Sequence, residues 1–394
     1  MTRCPLCLYE LSADRSAFVC AGDCEEIPDS QFSRHYGVDR RSRTLTIVDR
    51  PADTRSWTVP TGVPCRKCGA PTTECCRNCH YPFPARWRQS ETLSSAFAGP
   101  RFTGKTISIA CLVHALGQFA EAKGWPLTHA TALSRRTYEK RYQEPLFETR
   151  EVLPPTPRGN TANAPQLEPL ILTLGSRAGR PLNLVLRDAA GEDLEEEADL
   201  EHLAFFGRAD LVVFLFDPTQ VQEVKDLVKD VMPVNNLPGK PLQVLEHLLR
   251  LARGGSPRLA VTVAKLDALW EVGKGSLAAD EQGSRTAFLQ LSRAMANPGS
   301  ALRSDLLWTA EGAEIDDDLQ RVHHEVRSLL TLLHATQLVH TVEQSAIGHA
   351  GRSAYFASSA LGHPPNSQGT SPHGIAPYRV IDPILWLLRA ERLL

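Results

Sequence analysis

Eight residues constrain this chain more than any others: Gly99 to Thr106, reading GPRFTGKT. They fit the pattern G-x-x-x-x-G-K-[ST], whose glycines let the backbone curl until successive N–H groups surround a phosphate at the positive end of the next helix. Such a loop works where a strand hands over to a helix, so the surrounding fold class is α/β. Gly99, Thr103, Gly104, Lys105, Thr106 and Ile107 are the candidate nucleotide contacts. Lys105 is placed to meet the terminal phosphates and is the first catalytic candidate, while Thr106 is placed to hold Mg2+.

From Glu91 onward, short apolar runs alternate with longer amphipathic stretches, the signature of a parallel sheet covered by helices. The spacing predicts strands over 93–98, 170–174, 182–187, 211–217, 259–265 and 353–358. Helices are predicted over 106–122, 194–206, 221–231, 241–252, 287–296 and 319–344. In the last of these, Val322, Val326, Leu329, Leu330 and Leu333 recur at helical spacing and mark a core-facing stripe. Residues 154–166, PPTPRGNTANAPQ, and 362–377 are dense in turn formers and read as loops.

Three further motifs follow in order. LNLVLRDAAGED runs a strand into D-x-x-G, where Asp188 is a second candidate for magnesium and the Gly191 amide for the γ-phosphate. LAVTVAKLDAL ends the next strand at Lys265 and Asp267, approximating N-K-x-D with Ala264 in the Asn position. An Asp carboxylate there accepts from two guanine N–H donors, and a Lys stem can lie on the base. AYFASSALG brings Ser359 and Ala360 to the end of the last strand, as a further base contact.

The cysteines make a separate signal. Nine of ten precede residue 80, and only Cys111 lies beyond, where core packing explains it. Cys4, Cys7, Cys20 and Cys24 form one set; Cys65, Cys68, Cys76 and Cys79 form another, with Cys75 and His80 as spare candidates. Paired cysteines supply four soft ligands for tetrahedral Zn2+. One ribbon per set is the simple arrangement; alternatively Cys4 and Cys7 share an ion with the second set. Neither set leaves an open coordination position, so the role is structural or docking rather than catalytic.

Residues 1–86 are thus read as a zinc-ribbon module and residues 91–394 as the P-loop domain, with a helical insertion at about 268–350. The net charge of −2 gives no global reason to bind nucleic acid, and the basic run containing Arg40, Arg41 and Arg43 lacks interleaved aromatics. The longest strongly apolar stretch, 211–216, is far short of the ~18 residues a membrane span needs. The opening MTRCPLCLYE has no hydrophobic signal core, so a cytoplasmic location is expected.

The series GPRFTGKT, DAAGED, AKLD and SSAL resembles the TRAFAC-class GTPases, which include Ras-like proteins. With the cysteine pairs ahead of it and VIDPILWLL at the end, the chain more closely resembles a bacterial, largely actinobacterial, double-GTPase family. The resemblance implies a Ras-like sheet flanked by helices that binds GTP or GDP with magnesium. Water would attack the γ-phosphate, slowly unless a partner assists, and the protein would act beside a second GTPase-like protein, in defence or signalling. It also implies Thr156 as the switch threonine and Glu192 in the place where Ras-like proteins usually carry a water-positioning Gln. Arg101 and Arg158 are candidate charge stabilisers. Two rival readings stand beside this one: a nucleotide-binding scaffold without useful hydrolysis, and an ATP-using P-loop protein that contacts nucleic acid through its ribbons.

Overall fold

A computed structural model describes residues 2–54, 56–150, 153, 168–195, 201–228, 239–255, 257–273, 291, 293–304, 308–365 and 374–394. The N-terminal part holds five short strands: β1 (Arg15–Cys20), β2 (Ile27–Pro28), β3 (Arg41–Ser42), β4 (Leu45–Asp49) and β5 (Thr72–Cys75). β1 pairs antiparallel with β4 and β5 in the order β4-β1-β5, and β2 pairs with β3. One helix, Ser30–Tyr36, crosses this part. Asp29 caps it by accepting from Phe32 N at 2.9 Å, and Gly37 ends it in the left-handed conformation.

Seven strands build the main sheet: β6 (Glu91–Ala98), β7 (Thr128–His129), β8 (Leu170–Arg177), β9 (Arg180–Arg187), β10 (Leu211–Phe216), β11 (Arg258–Val263) and β12 (Ser353–Ala357). Their order is β12-β11-β10-β6-β9-β8-β7, with β12 to β9 mutually parallel, β8 antiparallel to β9, and β7 antiparallel to β8. β10 reads LVVFLF and is buried throughout, as a strand covered on both faces must be. β6, of small and only partly apolar residues, sits at the centre. Its Ser94 is held there by backbone N and Oγ both donating to Asp210 Oδ2 at 2.8 Å. Because the parallel strands run one way, the loops after β6, β9, β10, β11 and β12 meet at one sheet edge.

The expected strands all form, with ends shifted by a few residues. The helix expected over 319–344 is instead two, Ala313–Leu332 and Thr336–Glu343, because the chain turns at His334, whose φ is 56°. The helix expected over 194–206 becomes a short helix, Gly191–Glu195, and a tighter turn, Glu201–Arg208. The 154–166 loop, and half of the helix expected over 287–296, lie outside the described residues. Between the phosphate-loop helix (Lys105–Ala122) and β8, unanticipated from sequence, stand β7, the helix Ala132–Tyr138 and a π-helical stretch Glu139–Thr149. Pro145 inside that stretch removes an N–H from the usual ladder, consistent with the wider winding.

One apolar core runs from the sheet into the N-terminal part, taking in Cys4, Leu6, Leu8, Tyr36, Cys79 and Trp87. Polar contacts reinforce the join. Arg3 donates to Asp210 Oδ1 at 2.8 Å, Arg208 donates to Cys7 O at 3.1 Å, and Trp87 Nε1 donates to Arg3 O at 2.8 Å. Tyr36 and Tyr81 both donate their hydroxyls to Glu168, at 2.7 and 3.1 Å, just before β8 begins. No helix among the described residues is long and apolar enough to cross a membrane.

Candidate functional site

β6 ends at Ala98 and the helix starts at Lys105, so GPRFTG forms the turn between them. Positive φ at Gly99 (149°), Phe102 (65°) and Gly104 (84°) curls it. A Cβ on Gly99 would stand 2.7 Å from Leu215 O of the neighbouring strand, so only glycine fits. Lys105 is buried, and its Nζ donates to Gly99 O and Pro100 O, both at 2.9 Å. An ammonium carries three N–H donors, so these two carbonyls aim the group across the loop while leaving it capacity for a phosphate oxygen. Burial pulls the Lys105 ammonium down from its ordinary range, while the charges of Asp188, Glu192 and Glu195 push it back up. Thr103 Oγ1 braces the turn by donating to Pro100 O at 2.9 Å, and Ile107 packs half-buried against the core.

The second motif closes on the first. Thr106 Oγ1 donates to Asp188 Oδ2 at 2.9 Å, and both residues are buried. Neighbouring oxygens of an octahedral magnesium, with bonds of 2.0–2.1 Å, stand about 2.9 Å apart, a spacing this pair already has. Gly191 presses on the loop: a Cβ there would lie 2.5 Å from Arg101 N. Glu192, half-buried on the helix Gly191–Glu195, is near enough for its charge to act on Lys105. Arg101 is engaged by Glu195, which accepts from its guanidinium at 2.8 Å and from its backbone N at 3.2 Å. Thr156 and Arg158 lie outside the described residues.

At the same edge, Lys265 and Asp267 follow β11, the first with φ 52° and the second in the opening turn of the helix Leu266–Gly273. Ser359 Oγ donates to Asp267 Oδ1 at 2.5 Å and accepts from Gly362 N at 2.8 Å. Burial raises the Asp267 carboxyl above its ordinary range, against the hydrogen bond from Ser359 and the charge of Lys265. Ala360 follows, half-buried. Ala264 is buried and offers only its backbone, donating to Phe216 O at 2.8 Å. Asp217, unanticipated as a site residue, anchors Lys265: its Oδ2 accepts from Nζ at 2.6 Å, and its Oδ1 accepts from Thr219 N and Oγ1 at 2.9 and 2.7 Å. A lone acid closing the apolar strand LVVFLF was the available signal.

The cysteines gather in two fours, Cys4, Cys7, Cys76 and Cys79, and Cys20, Cys24, Cys65 and Cys68. This corrects the simple arrangement of one ribbon per sequence cluster and matches the alternative in which Cys4 and Cys7 join the second cluster. The physical reason is the β-pairing: β1 lies between β4 and β5, which brings Cys20 and Cys24 to the Cys65 turn and sends Cys76 and Cys79 back to the N-terminus. Sγ atoms lie 3.5 Å apart for Cys4 and Cys79, 3.6 Å for Cys7 and Cys76, 3.5 Å for Cys20 and Cys68, and 3.7 Å for Cys24 and Cys65. Thiolates 2.3 Å from a tetrahedral zinc stand about 3.8 Å apart, so both sets fit the ion. Three of the turns share one build. Leu8, Gly69 and His80 take positive φ and donate their N–H to Cys4, Cys65 and Cys76 carbonyls at 3.0, 2.8 and 2.8 Å. Backbone N–H groups of Gly22 and Asn78 reach the Cys20 and Cys76 sulfurs at 3.3 Å, as thiolates require. Cys75 and His80 join neither set; His80 Nδ1 instead meets Asp29 Oδ2 at 2.8 Å.

The family model Double-GTPase 2 matches residues 96–335. The candidate ESX-1 scaffolding and assembly protein SaeC of Mycolicibacterium smegmatis is 34% identical over 392 residues, spanning 98% of each chain. Among solved structures, the bacterial selenocysteine-specific elongation factor EF-Sec aligns with 76% of this chain at 14% identity and a TM-score of 0.28. The chain spans only 29% of that elongation factor's length. The phosphate-loop and D-x-x-G motifs, with the AKLD sequence after β11, all fall inside the matched region, and the chain belongs to the Double-GTPase 2 family.

Proposed function

We propose that this protein binds GTP with magnesium and hydrolyses it slowly, as a switch that works with a protein partner. One observation carries the reading: Lys105, the Thr106–Asp188 pair and the Asp267–Ser359 pair stand along the one sheet edge where the parallel strands end. In this reading Gly99 to Ile107 wrap the phosphates, and Lys105 offsets the negative charge that develops on the terminal one. Thr106 and Asp188 hold magnesium, which when bound neutralises phosphate charge. Asp267 selects guanine, Lys265 lies along the base, and Ser359 and Ala360 complete that pocket. Residues 1–86 serve as a zinc-held docking module on a P-loop domain of residues 91–394, whose extra segment at about 268–350 offers further partner surface. Thr156 would complete the magnesium shell.

In this reading hydrolysis is slow because Glu192 stands where Ras-like proteins usually carry a water-positioning Gln. Glu192 carries a charge that a triphosphate repels, and Arg101 is occupied by Glu195. A partner could raise the rate by supplying positive charge from outside. The test is magnesium-dependent phosphate release from GTP by the purified chain, wild type against Lys105→Ala, with ATP as competitor. Slow release that the substitution abolishes, and poor competition by ATP, support the reading; equal activity in both chains removes it.

A second reading has its own support. The relative from Mycolicibacterium smegmatis carries a scaffolding and assembly name, and Glu192 stands where hydrolysis would favour Gln. On that reading the bound nucleotide sets the shape of a scaffold without useful turnover. Tight GTP binding with no phosphate release, even beside partner proteins, would favour it.

A further inference from the structure

Position 264 is Ala and offers no side-chain hydrogen bond to the base-reading turn. Asp267 takes its bond from Ser359, at 2.5 Å. Ser359 is itself clamped outside the main sheet, its N donating to Tyr378 O at 3.0 Å and its O accepting from Tyr378 N at 2.8 Å. The Tyr378 ring stands edge-on to Trp270 at 5.1 Å, and Trp270 belongs to the same helix as Asp267. A Cβ on Gly362 would come within 2.2 Å of Ala376 O, so the two limbs of this clamp are in close contact.

What holds Tyr378 is the next residue. Arg379 has a side chain 0% exposed and φ 52°, a conformation a non-glycine residue keeps only when its surroundings enforce it. Both its terminal nitrogens donate to Asp318 Oδ2, Nη1 at 3.0 Å, and Nη1 stands 3.3 Å from Asp382 Oδ2. Asp318 belongs to the helix Ala313–Leu332, where its other oxygen accepts from Arg321 at 3.2 Å; Asp382 opens the last helix, Asp382–Ala390. A buried cluster of this kind repays little in stability for its desolvation, but it enforces one geometry.

We infer that the Arg379–Asp318–Asp382 cluster is a positioning element for guanine recognition, fixing the Asp267 carboxylate through the Tyr378 backbone and Ser359. The inference rests on the guanine-binding reading proposed above. Arg379, Asp318 and Asp382 thereby make the C-terminal helix part of the specificity apparatus.

The experiment compares GDP and ADP binding, with magnesium, by titration calorimetry on full-length wild type, Arg379→Met and Asp318→Asn. The expected result is a loss of GDP affinity of about tenfold or more with ADP affinity unchanged. Equal losses for both nucleotides, or unchanged GDP affinity in a folded variant, would overturn the inference. Should both variants fail to fold, hydrogen exchange on wild type decides. GDP, but not pyrophosphate, must slow exchange at Ser359 and across Tyr378–Asp382; protection confined to the phosphate loop overturns the inference. Failure of the guanine reading itself shows earlier and differently, as wild type binding GDP and ADP equally well.

Discussion

Thr106 Oγ1 and Asp188 Oδ2 stand 2.9 Å apart, which joins the first turn of the phosphate-loop helix to the end of β9. If magnesium bridges that gap, Thr106→Ala and Asp188→Asn should each weaken GTP binding about tenfold or more in its presence. In EDTA both variants should bind about as wild type does. Titration with a fluorescent GTP analogue under the two conditions checks this, and equal losses in both would count against the assignment.

The two cysteine sets differ in what they support. Cys79 is buried in the core shared with the main sheet, whereas Cys68 is exposed and its partners Cys20, Cys24 and Cys65 form a separate small cluster. Elemental analysis should find two zinc ions per wild-type chain, since each of the two sets holds four cysteines. Cys79→Ser and Cys68→Ser should each lose one. Only the first is expected to lower the melting temperature by about 10 °C or more, because metal binding there is folding free energy for the core. Cys68→Ser should leave GTP affinity within about twofold.

Guanine binding should depend on pH through Asp267. Its carboxyl is raised above the ordinary range by burial, and only the ionised form accepts from both guanine donors. A raised value means that protonation sets in earlier as pH falls, so GTP affinity drops on the acid side and levels off above it. As pH falls toward the carboxylate range the affinity for GTP should drop at a higher pH than an ordinary Asp would give, with little change for ATP. An identical pH profile for the two nucleotides would show that Asp267 does not read the base.

Glu192 acts on Lys105 by charge, and a bound triphosphate brings one more negative charge than a diphosphate. Glu192→Gln should therefore strengthen GTP binding by about threefold relative to GDP, an effect that shrinks as salt is added. Measuring the GTP-to-GDP affinity ratio at low and high ionic strength tests it. A ratio unchanged by the substitution would place the carboxylate too far away to matter.

The phosphate-loop geometry was legible because its chemistry dictates its residues: Gly99 has no room for a Cβ, and Lys105 must follow Gly104 to cross the turn. β10 announced itself by composition, as a run of six buried apolar residues. Cysteine partners were not legible, because spacing along the chain says which thiols form a pair but not which pairs meet; β1 decides that by inserting between β4 and β5. The break at His334 had no Gly or Pro to mark it, while Leu333 kept the apolar stripe going. The stretch after the phosphate-loop helix did carry a sign, Tyr138, Tyr142 and Leu146 buried at four-residue intervals, which Pro145 disguised.

The order of the sulfurs along the chain is nested, Cys4 and Cys7 enclosing Cys20, Cys24, Cys65 and Cys68 before Cys76 and Cys79 close the bracket. During synthesis the enclosed set is complete once Cys68 has emerged, but the enclosing set waits for Cys79. Thr2 and Arg3, which bond to Ser90 O at 2.5 Å and Thr92 Oγ1 at 2.8 Å, reach the main sheet from that enclosing set. Residues made before the enclosed set are therefore fastened after it, and a shortage of metal would be felt where Thr2 and Arg3 meet the sheet.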